Sequence, residues 1–467
     1  VGIASGGGAG RALAEWIVEG EPTSDLVAVD IRRFASFNAN NRWLRDRVGE
    51  VLGLHYAVPW PNRELATARP FRRSPLHHIL AAKGAVFGSK MGWERPNVFA
   101  PPGVAAELDY TWGRPQWLAW SCDEQVATRQ RVAVFDETSF GKLLVVGRDA
   151  EALLQRLCTA DVAVAPDRTV YTGMLNERGG YEADVTITRL AADRYLLVTS
   201  AASPVRDAVW IERHTQPGEH VSVVDVSSAY AVLGVMGPAS RDLLGRLGSA
   251  DLSDDAFAFS TSREIALGYA TVRATRITYV GELGWELYVP TEFAVGVYED
   301  LVAAGADLGL ADAGYSAINS LRLDKGYRAF GSDLTPDHTP LEAGLRFTCK
   351  LSTPIDFVGR RALEDAVAAG ARRRLVSFRV GDPEAMVWGG ELVLHDGEPA
   401  GQVTSAAWSA TCGAGVGLAY VWRRDRGPIE RDDLAHGTWE VTVGDVVAPI
   451  EVRTGAFYDP TSARVRP

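Results

Sequence analysis

The stretch TVYTGMLNERGGYEADVTITRLAADRYLLVTS, residues 169–200, contains three runs of alternating side chains separated by two short turns. Polar and apolar residues alternate in TVYTGML, YEADVTITRL and YLLVTS, as they do in half-buried strands. NERGG and AADR have the composition of turns, and we expect Gly179 and Gly180 to supply the positive φ that a tight hairpin requires. The stretch therefore predicts strand, turn, strand, turn, strand.

Asp184 is the residue of this stretch with the most chemical interest. Because side chains alternate along a strand, Asp184, Thr186 and Thr188 are expected on one face, and Val185 and Ile187 on the other. A carboxylate followed by hydroxyls forms a polar row in a mostly apolar sheet. An acid near a hairpin also often caps a turn or lies in water. The local sequence leaves both interpretations of Asp184 open.

Composition limits the classes of function. The chain has 467 residues, of which 46% are hydrophobic and 23% charged, and this predicts a folded protein with several domains. Its net charge is −11 and no segment is dominated by Lys or Arg. Nucleic acid and anionic membranes are therefore poor partners. The longest apolar runs are far shorter than the roughly 20 residues that a membrane-spanning helix needs.

The cysteines indicate the compartment. No two of them are close enough in sequence for a metal-ligand pair or a redox dithiol, so we expect free thiols, no metal site and a cytoplasmic protein. No secretory signal is visible in the sequence. The cysteines are Cys122, Cys158, Cys349 and Cys412.

The opening stretch VGIASGGGAGRALAEW places a glycine cluster before an amphipathic run. Asp30 follows at about the distance of a ribose-binding acid, but a dinucleotide fingerprint needs a strand before its glycines, and only residues 1–5 precede them. We expect a Gly-rich turn and then a helix over residues 11–19. Its free amides could receive an anion or the edge of a flavin, and close backbone packing is an equally good explanation of the glycines.

Other segments predict the remaining architecture. Residues 29–83 are Arg-rich and aromatic, with helices expected over 41–52 and 75–82. VAVFDETSFGKLLVVG, residues 132–147, predicts a turn followed by a strand, and Asp149 is placed to cap a short helix. After Lys350, short alternating strands are broken by Gly, Pro and Asp, including a turn at VTSAAWS. They predict a small antiparallel barrel or sandwich.

Three separate strings resemble the aminomethyltransferase, or glycine cleavage T-protein, family. They occur in the order of the family, and the similarity runs from Glu107 to Val465. Residues 29–103 resemble, in pieces, the end of the flavin half of dimethylglycine and sarcosine dehydrogenases. The strings are NERGGYEADVTITRL at 176–190, TRITYVGELGWELYVP at 275–290 and NSLRLDKGYRAFGSDLTPDHTPLEAGLRFTCK at 319–350.

The resemblance implies an α+β, multidomain protein similar to the C-terminal half of a fused protein in which a T-protein module follows an FAD-dependent oxidoreductase. We expect a remnant of the oxidoreductase over residues 1–83 and a tetrahydrofolate-binding domain over 84–365. A C-terminal antiparallel β-barrel is expected over 366–467. Ile318–Asn319 stand where stand-alone T-proteins tend to have an Arg-Asp pair, and this departure favours the fused version.

The resemblance also implies site residues. Asp184 matches the family acid beside the reacting nitrogen of the folate. Glu286 matches a family carboxylate that hydrogen-bonds the pterin ring, and such a carboxylate can accept two hydrogen bonds from the amino and amide edge of a pterin. Glu286 could instead lie on a solvent-facing strand surface, and Arg322 could form an ion pair with Asp324 or Asp312. Phe347 stands where stand-alone members tend to have Trp. The implied folate-binding residues are Tyr171, Thr186, Tyr279, Glu286, Leu287, Tyr288, Arg322 and Phe347.

The function implied is tetrahydrofolate-dependent one-carbon transfer from an N-methylated amine, such as dimethylglycine or sarcosine, to form methylenetetrahydrofolate. Asp184 would act as the catalytic carboxylate, ionised at neutral pH. FAD is expected only if the oxidoreductase half is present, and a separate flavoprotein subunit is one arrangement that would supply it. The alternatives are a folate-binding module without turnover and a demethylase that produces methyltetrahydrofolate.

Overall fold

The N-terminal segment consists of helices joined by irregular chain and followed by a hairpin. The computed structural model describes residues 2–466, and within them no helix is long and apolar enough to cross a membrane. The elements of this segment are α1 (Ile3–Glu19), α2 (Asn41–Leu54), α3 (His77–Ala82), β1 (Ala85–Lys90) and β2 (Trp93–Phe99).

The predicted glycine turn near the N-terminus is wrong. Helix α1 begins at Ile3 and contains Gly6, Gly7, Gly8 and Gly10. Glycine adopts helical φ and ψ without steric penalty, so the surrounding Ala and Leu residues can carry the helix through the cluster. The glycines therefore lie within an exposed helix, and the helix N-terminus predicted at residue 11 is absent.

Two β-sheets form the central part of the chain. The first sheet has the order β5-β6-β7-β4-β8, and the second has the order β10-β11-β12-β9-β3-β13. The strands are β3 (Ala133–Asp136), β4 (Gly141–Val146), β5 (Thr169–Leu175), β6 (Tyr181–Ala191), β7 (Arg194–Thr199), β8 (Ser222–Asp225), β9 (Tyr230–Met236), β10 (Ser262–Leu267), β11 (Ala270–Thr275), β12 (Gly284–Pro290) and β13 (Ala311–Ala313).

Helices cover the sheets and connect them to the hairpin and the C-terminal part. Glu124 on α4 illustrates this, because its two carboxylate oxygens accept the backbone N–H groups of Phe99, at the end of β2, and Gly314, just before α9, at 2.7 and 2.9 Å. The helices are α4 (Trp117–Gln130), α5 (Ala150–Leu157), α6 (Pro204–Arg213), α7 (Ser240–Gly245), α8 (Ala294–Gly305), α9 (Tyr315–Asp324) and α10 (Arg360–Ala369).

The strand, turn, strand, turn, strand prediction for residues 169–200 is confirmed by β5, β6 and β7. Gly179 has a φ of +82°, as the turn requires, whereas Gly180 does not have a positive φ. A side chain at Gly180 would instead overlap the carbonyl oxygen of Pro336. The second glycine is thus needed for close backbone approach and not for turn geometry.

Two local predictions for residues 132–149 are corrected. Residues 132–147 contain two strands, β3 and β4, where one was expected. Asp149 does precede α5, but its side chain does not cap that helix. It accepts the backbone N–H of His220 at 2.8 Å instead and so joins the start of α5 to the segment before β8.

The C-terminal part is a closed barrel with the order β14-β17-β16-β15-β18-β19, as predicted. VTSAAWS is not a turn: it lies within β16, where a bulge occurs between Val403 and Ser405. The barrel encloses its own apolar core. Its strands are β14 (Arg374–Val380), β15 (Leu392–His395), β16 (Glu398–Ser409), β17 (Ala414–Val421), β18 (Trp439–Val443) and β19 (Val446–Arg453).

Candidate functional site

The candidate site lies on the sides of the two central sheets that face each other. On β6, Val185 and Ile187 point into the core that the first sheet forms with α5 and α6. Asp184 and Thr186 point the opposite way, as alternation predicted. On that side, Val198 of the first sheet packs against Tyr288 of the second. The polar face of β6 is therefore directed toward the second sheet.

Asp184 is held on this face by its neighbours on β5. Gly173 lies opposite Asp184, and Tyr171 lies opposite Thr186. The Tyr171 hydroxyl lies near enough to the Asp184 carboxylate to lower its pKa, while the tyrosine remains 39% exposed. Within residues 2–466, Asp184 Oδ1 is buried and has no hydrogen-bond partner. One oxygen of this acid is thus left for a donor outside the described chain.

The ionisation of Asp184 differs from the expected one. Burial raises its pKa to about 7, even though the nearby Tyr171 hydroxyl and Arg328 guanidinium favour the charged form and lower it. Asp333 adds a smaller raising effect. A large fraction of Asp184 is therefore protonated at neutral pH, which corrects the prediction of an ordinary ionised aspartate. A carboxyl with a pKa near the working pH can both accept and return a proton.

Tyr279 and Arg328 form a second part of the site. The Tyr279 ring stacks on Tyr327 at a centroid distance of 6.1 Å, and its hydroxyl donates to the Arg328 carbonyl at 2.7 Å. The Arg328 guanidinium donates to the carbonyl oxygens of Gly326 and Ala343 at 2.6 to 3.0 Å. Sequence reasoning missed Arg328, although it lies inside the third family string.

Glu286 and Tyr288 lie together on β12. Glu286 is only 7% exposed, which excludes the solvent-facing alternative, and the Tyr288 hydroxyl donates to its Oε2 at 2.6 Å. Burial raises the Glu286 pKa to about 7, and the Tyr288 hydrogen bond lowers it in part. Leu287 is a correction: it is fully buried on the opposite face, in the core of the second sheet. Since side chains alternate along a strand, the side chain of Leu287 cannot share a ligand with the side chain of Glu286.

Arg322 is engaged within the protein. Its guanidinium pairs with Asp333 at 2.6 Å, and it also donates to Asn319 and to the carbonyl of Tyr327. Both predicted ion-pair partners, Asp324 and Asp312, are wrong. These contacts use most of the donors of Arg322 and favour a structural role, so a direct folate contact by Arg322 stays a prediction.

Phe347 is 81% exposed, in a short turn at Arg346–Thr348. No part of the described chain is therefore packed closely over this ring. Its predicted position over a ligand stays a prediction, as do the ligand contacts of Tyr171, Thr186, Tyr279, Glu286 and Tyr288.

Comparison with known proteins gives the same order of domains. The FAD dependent oxidoreductase central domain matches residues 19–74, and the GCVT N-terminal domain matches residues 76–353. The Glycine cleavage T-protein C-terminal barrel domain matches residues 373–459. These matches agree with the three regions of the structure: the helical N-terminal segment, the paired sheets and the barrel.

Curated relatives extend the comparison. The whole chain aligns with the formaldehyde-forming 4-methylaminobutanoate oxidase of Paenarthrobacter nicotinovorans at 41% identity and with mitochondrial sarcosine dehydrogenase of Mus musculus at 38% identity. It covers 55% of each, so it spans about half the length of the curated relatives that it matches.

A solved structure supports the fold. The crystal structure of glycine cleavage system aminomethyltransferase T from Bartonella henselae superposes with a TM-score of 0.70 at 24% identity, covering 84% of this chain and 99% of that one. Because the GCVT N-terminal domain accounts for more than half of the chain and is followed by the matching barrel, the chain belongs to the glycine cleavage T-protein family, in the form preceded by an FAD-dependent oxidoreductase central domain.

Proposed function

We propose that the chain binds tetrahydrofolate between its two central sheets and transfers to it a one-carbon unit from an N-methylated amine, forming methylenetetrahydrofolate. One observation carries the proposal: Asp184 Oδ1 is buried and has no partner within residues 2–466. A buried acceptor left unpaired costs about 1–3 kcal/mol. An N–H of a ligand between the sheets would satisfy it.

The residues present fit a reduced folate. Its amino and amide N–H groups require a buried acceptor, and Glu286 is such a group. The stacked rings of Tyr279 and Tyr327 and the exposed ring of Tyr171 offer flat surfaces for an aromatic ligand. When bound, tetrahydrofolate supplies the secondary amine nitrogen that accepts the one-carbon unit.

The chain itself supplies the proton chemistry. Asp184 in its ionised form can take a proton at Oδ1 and can stabilise positive charge on an iminium donor. Its pKa of about 7 lets it return that proton afterwards. The Tyr171 hydroxyl and the Arg328 guanidinium both favour the ionised carboxyl and keep the pKa of Asp184 from rising further.

The donor is proposed from the relatives. One is named for sarcosine and another for 4-methylaminobutanoate, and both names specify N-methylated amines. Since the chain spans about half of those proteins, we propose that it acts as the folate half of an FAD-dependent amine oxidoreductase. FAD is then bound by the other half, and the isolated chain should purify without flavin; a chain that retains flavin would contradict this.

Binding is tested first by anaerobic calorimetric titration of the chain with tetrahydrofolate. We expect micromolar binding that Asp184→Asn largely retains and that Glu286→Ala weakens at least tenfold, because the second change removes a charge-assisted acceptor. Asp193→Asn, in the exposed turn between β6 and β7, is the matched control. No binding by the unmodified chain would overturn the proposal.

Transfer is tested by adding sarcosine and a separate sarcosine-oxidising flavoenzyme, and by measuring methylenetetrahydrofolate above its spontaneous rate of formation. We expect the unmodified chain to exceed that rate and Asp184→Asn to fall back to it. Binding without any rate increase would mean a folate-binding module, and accumulation of methyltetrahydrofolate would mean a demethylase. A flavoprotein that copurifies with the chain would identify a split enzyme.

A further inference from the structure

Glu137 is a buried acid that no sequence pattern singled out. It directly follows β3, and its backbone N–H donates to the Val232 carbonyl on β9 at 2.9 Å. Its side chain bends over Gly234: the two carboxyl oxygens lie 2.9 and 3.1 Å, and the carboxyl carbon 3.0 Å, from the position that a Cβ at Gly234 would occupy. The missing side chain at Gly234 therefore makes room for the Glu137 carboxyl.

The same position adjoins Glu286. Gly234 lies directly opposite Glu286 in the register of β9 and β12, and residues opposite each other on antiparallel strands point to the same face. The Glu137 carboxyl, which fills the space above Gly234, thus lies beside the Glu286 side chain. Two acids meet on the face of the second sheet that carries the proposed folate site.

Both carboxyls are shielded from water. Glu137 is 2% exposed and Glu286 is 7% exposed. Within residues 2–466, Glu137 Oε2 has no hydrogen-bond partner, and no Lys or Arg lies close enough to shift either pKa. The titratable groups that face the pair are Asp136 on β3, Tyr288 on β12 and Tyr315 on α9, with the Arg95 guanidinium over the far side of the Tyr315 ring at 3.9 Å.

The carboxyls of Glu137 and Glu286 do not readily ionise together. Burial raises the pKa of Glu137 well above its ordinary value, and the neighbouring Glu286 and Asp136 charges raise it further. Burial raises the Glu286 pKa to about 7. When two carboxyls interact at short range, the loss of the first proton stabilises the second. The pair therefore favours a state in which the two carboxyls hold one proton between them.

We propose that Glu137 is a second recognition residue for the pterin ring, and that the Glu137–Glu286 pair binds it as one carboxylic acid beside one carboxylate. The inference rests on the proposed folate function. The ring edge carries N–H donors next to a carbonyl oxygen. Glu286 accepts from the donors, and the protonated Glu137 donates to the carbonyl, so that both acids are satisfied by the same ligand.

The arrangement gives folate affinity a bell-shaped pH dependence. Affinity rises as pH increases through about 7, because Glu286 loses its proton and becomes the stronger acceptor. It falls again at higher pH, when Glu137 loses the shared proton and its donor. In a site with Glu286 alone, folate affinity would still rise as pH increases through about 7, but it would not fall at higher pH.

Two variants separate these roles by anaerobic calorimetry with tetrahydrofolate between pH 6 and 9. Glu137→Gln keeps a donor at every pH, so we expect affinity within about threefold of the unmodified chain at pH 7.5 and no fall at high pH. Glu137→Leu removes the donor and should weaken binding about tenfold at pH 7.5. Glu440→Gln, on the barrel, is the matched control.

A second measurement needs no folate. The infrared difference spectrum between the unmodified chain and Glu137→Gln at pH 7.5 should show the loss of one protonated carboxyl band, and Gly234→Ala should shift that band by crowding the carboxyl. A difference spectrum without such a band would overturn the inference. The inference would also be overturned if tetrahydrofolate bound with the same affinity and pH profile to the unmodified chain and to both Glu137 variants. Absence of binding by the unmodified chain, with the band present, would instead refute the proposed function and leave the proton-sharing pair standing.

Discussion

Replacing Asp184 by Asn should make the free energy of unfolding less sensitive to an increase in pH. The pKa of Asp184 is raised from 3.8 to about 7 in the folded chain, so the folded state binds the proton more tightly than the unfolded state does. For an acid with a raised pKa, the stabilising contribution is present at low pH and is lost as pH rises from about 4 to about 7. Asparagine has a similar shape and carries no such penalty.

The magnitude follows from the two pKa values. Each unit corresponds to about 1.4 kcal/mol, so the ionised carboxyl costs the folded state about 4 kcal/mol at pH 8 and about 1.5 kcal/mol at pH 5. The unmodified chain should thus lose about 2.5 kcal/mol more than Asp184→Asn between these two pH values. Because the side chain is half-buried, water screens part of the effect, and we expect about 2 kcal/mol.

Urea denaturation at pH 5 and pH 8, followed by tryptophan fluorescence, measures how much unfolding free energy each protein loses between the two pH values. The other buried acids titrate equally in both proteins and cancel. Asp193→Asn, in the exposed turn of the same sheet, should respond to pH as the unmodified chain does. If Asp184→Asn and the unmodified chain lose stability equally, within about 0.5 kcal/mol, then Asp184 is not desolvated as inferred.

Three further changes test the supporting contacts. Tyr288→Phe removes the 2.6 Å hydrogen bond that lowers the Glu286 pKa, so calorimetry at pH 7 should show tetrahydrofolate affinity reduced about threefold to tenfold; unchanged affinity would contradict this. Arg322→Met leaves Asp333 buried without its ion pair and should lower the free energy of unfolding in urea by about 3–5 kcal/mol, and a loss below about 1 kcal/mol would count against it. Glu124→Gln turns one of its two acceptor oxygens toward the backbone as a donor and should cost about 2 kcal/mol, whereas an unchanged melting temperature would show that the contact does not hold the hairpin.

Much of the architecture could be predicted because its causes are local. Alternation over YEADVTITRL placed Asp184 and Thr186 on one face of β6, and the Gly-Gly turn placed the hairpin. Short strands broken by Gly and Asp after Lys350 predicted the barrel. The same alternation could also have excluded Leu287, since it stands between two residues of the opposite face.

The remaining errors concern a side-chain partner and a backbone conformation that the local sequence leaves open. The partner of Arg322 is Asp333, in the loop after α9, and not one of the two acids predicted for it. The glycines of α1 form a helix where a turn was expected, since glycine is compatible with both. Sequence pattern reports which residues share a face, and it carries little information on which side chain of another segment will meet them.

Periodicity, turn chemistry and the three family strings predict the position of Asp184 on the polar face of β6, the hairpin that presents it and the order of the regions. The pKa of Asp184 and the meeting of Glu137 with Glu286 above Gly234 follow only from the packed structure. The physical reason is that desolvation and charge coupling depend on distances between groups far apart in the chain. These distances exist only once the strands of the second sheet have paired and the two sheets have packed against each other.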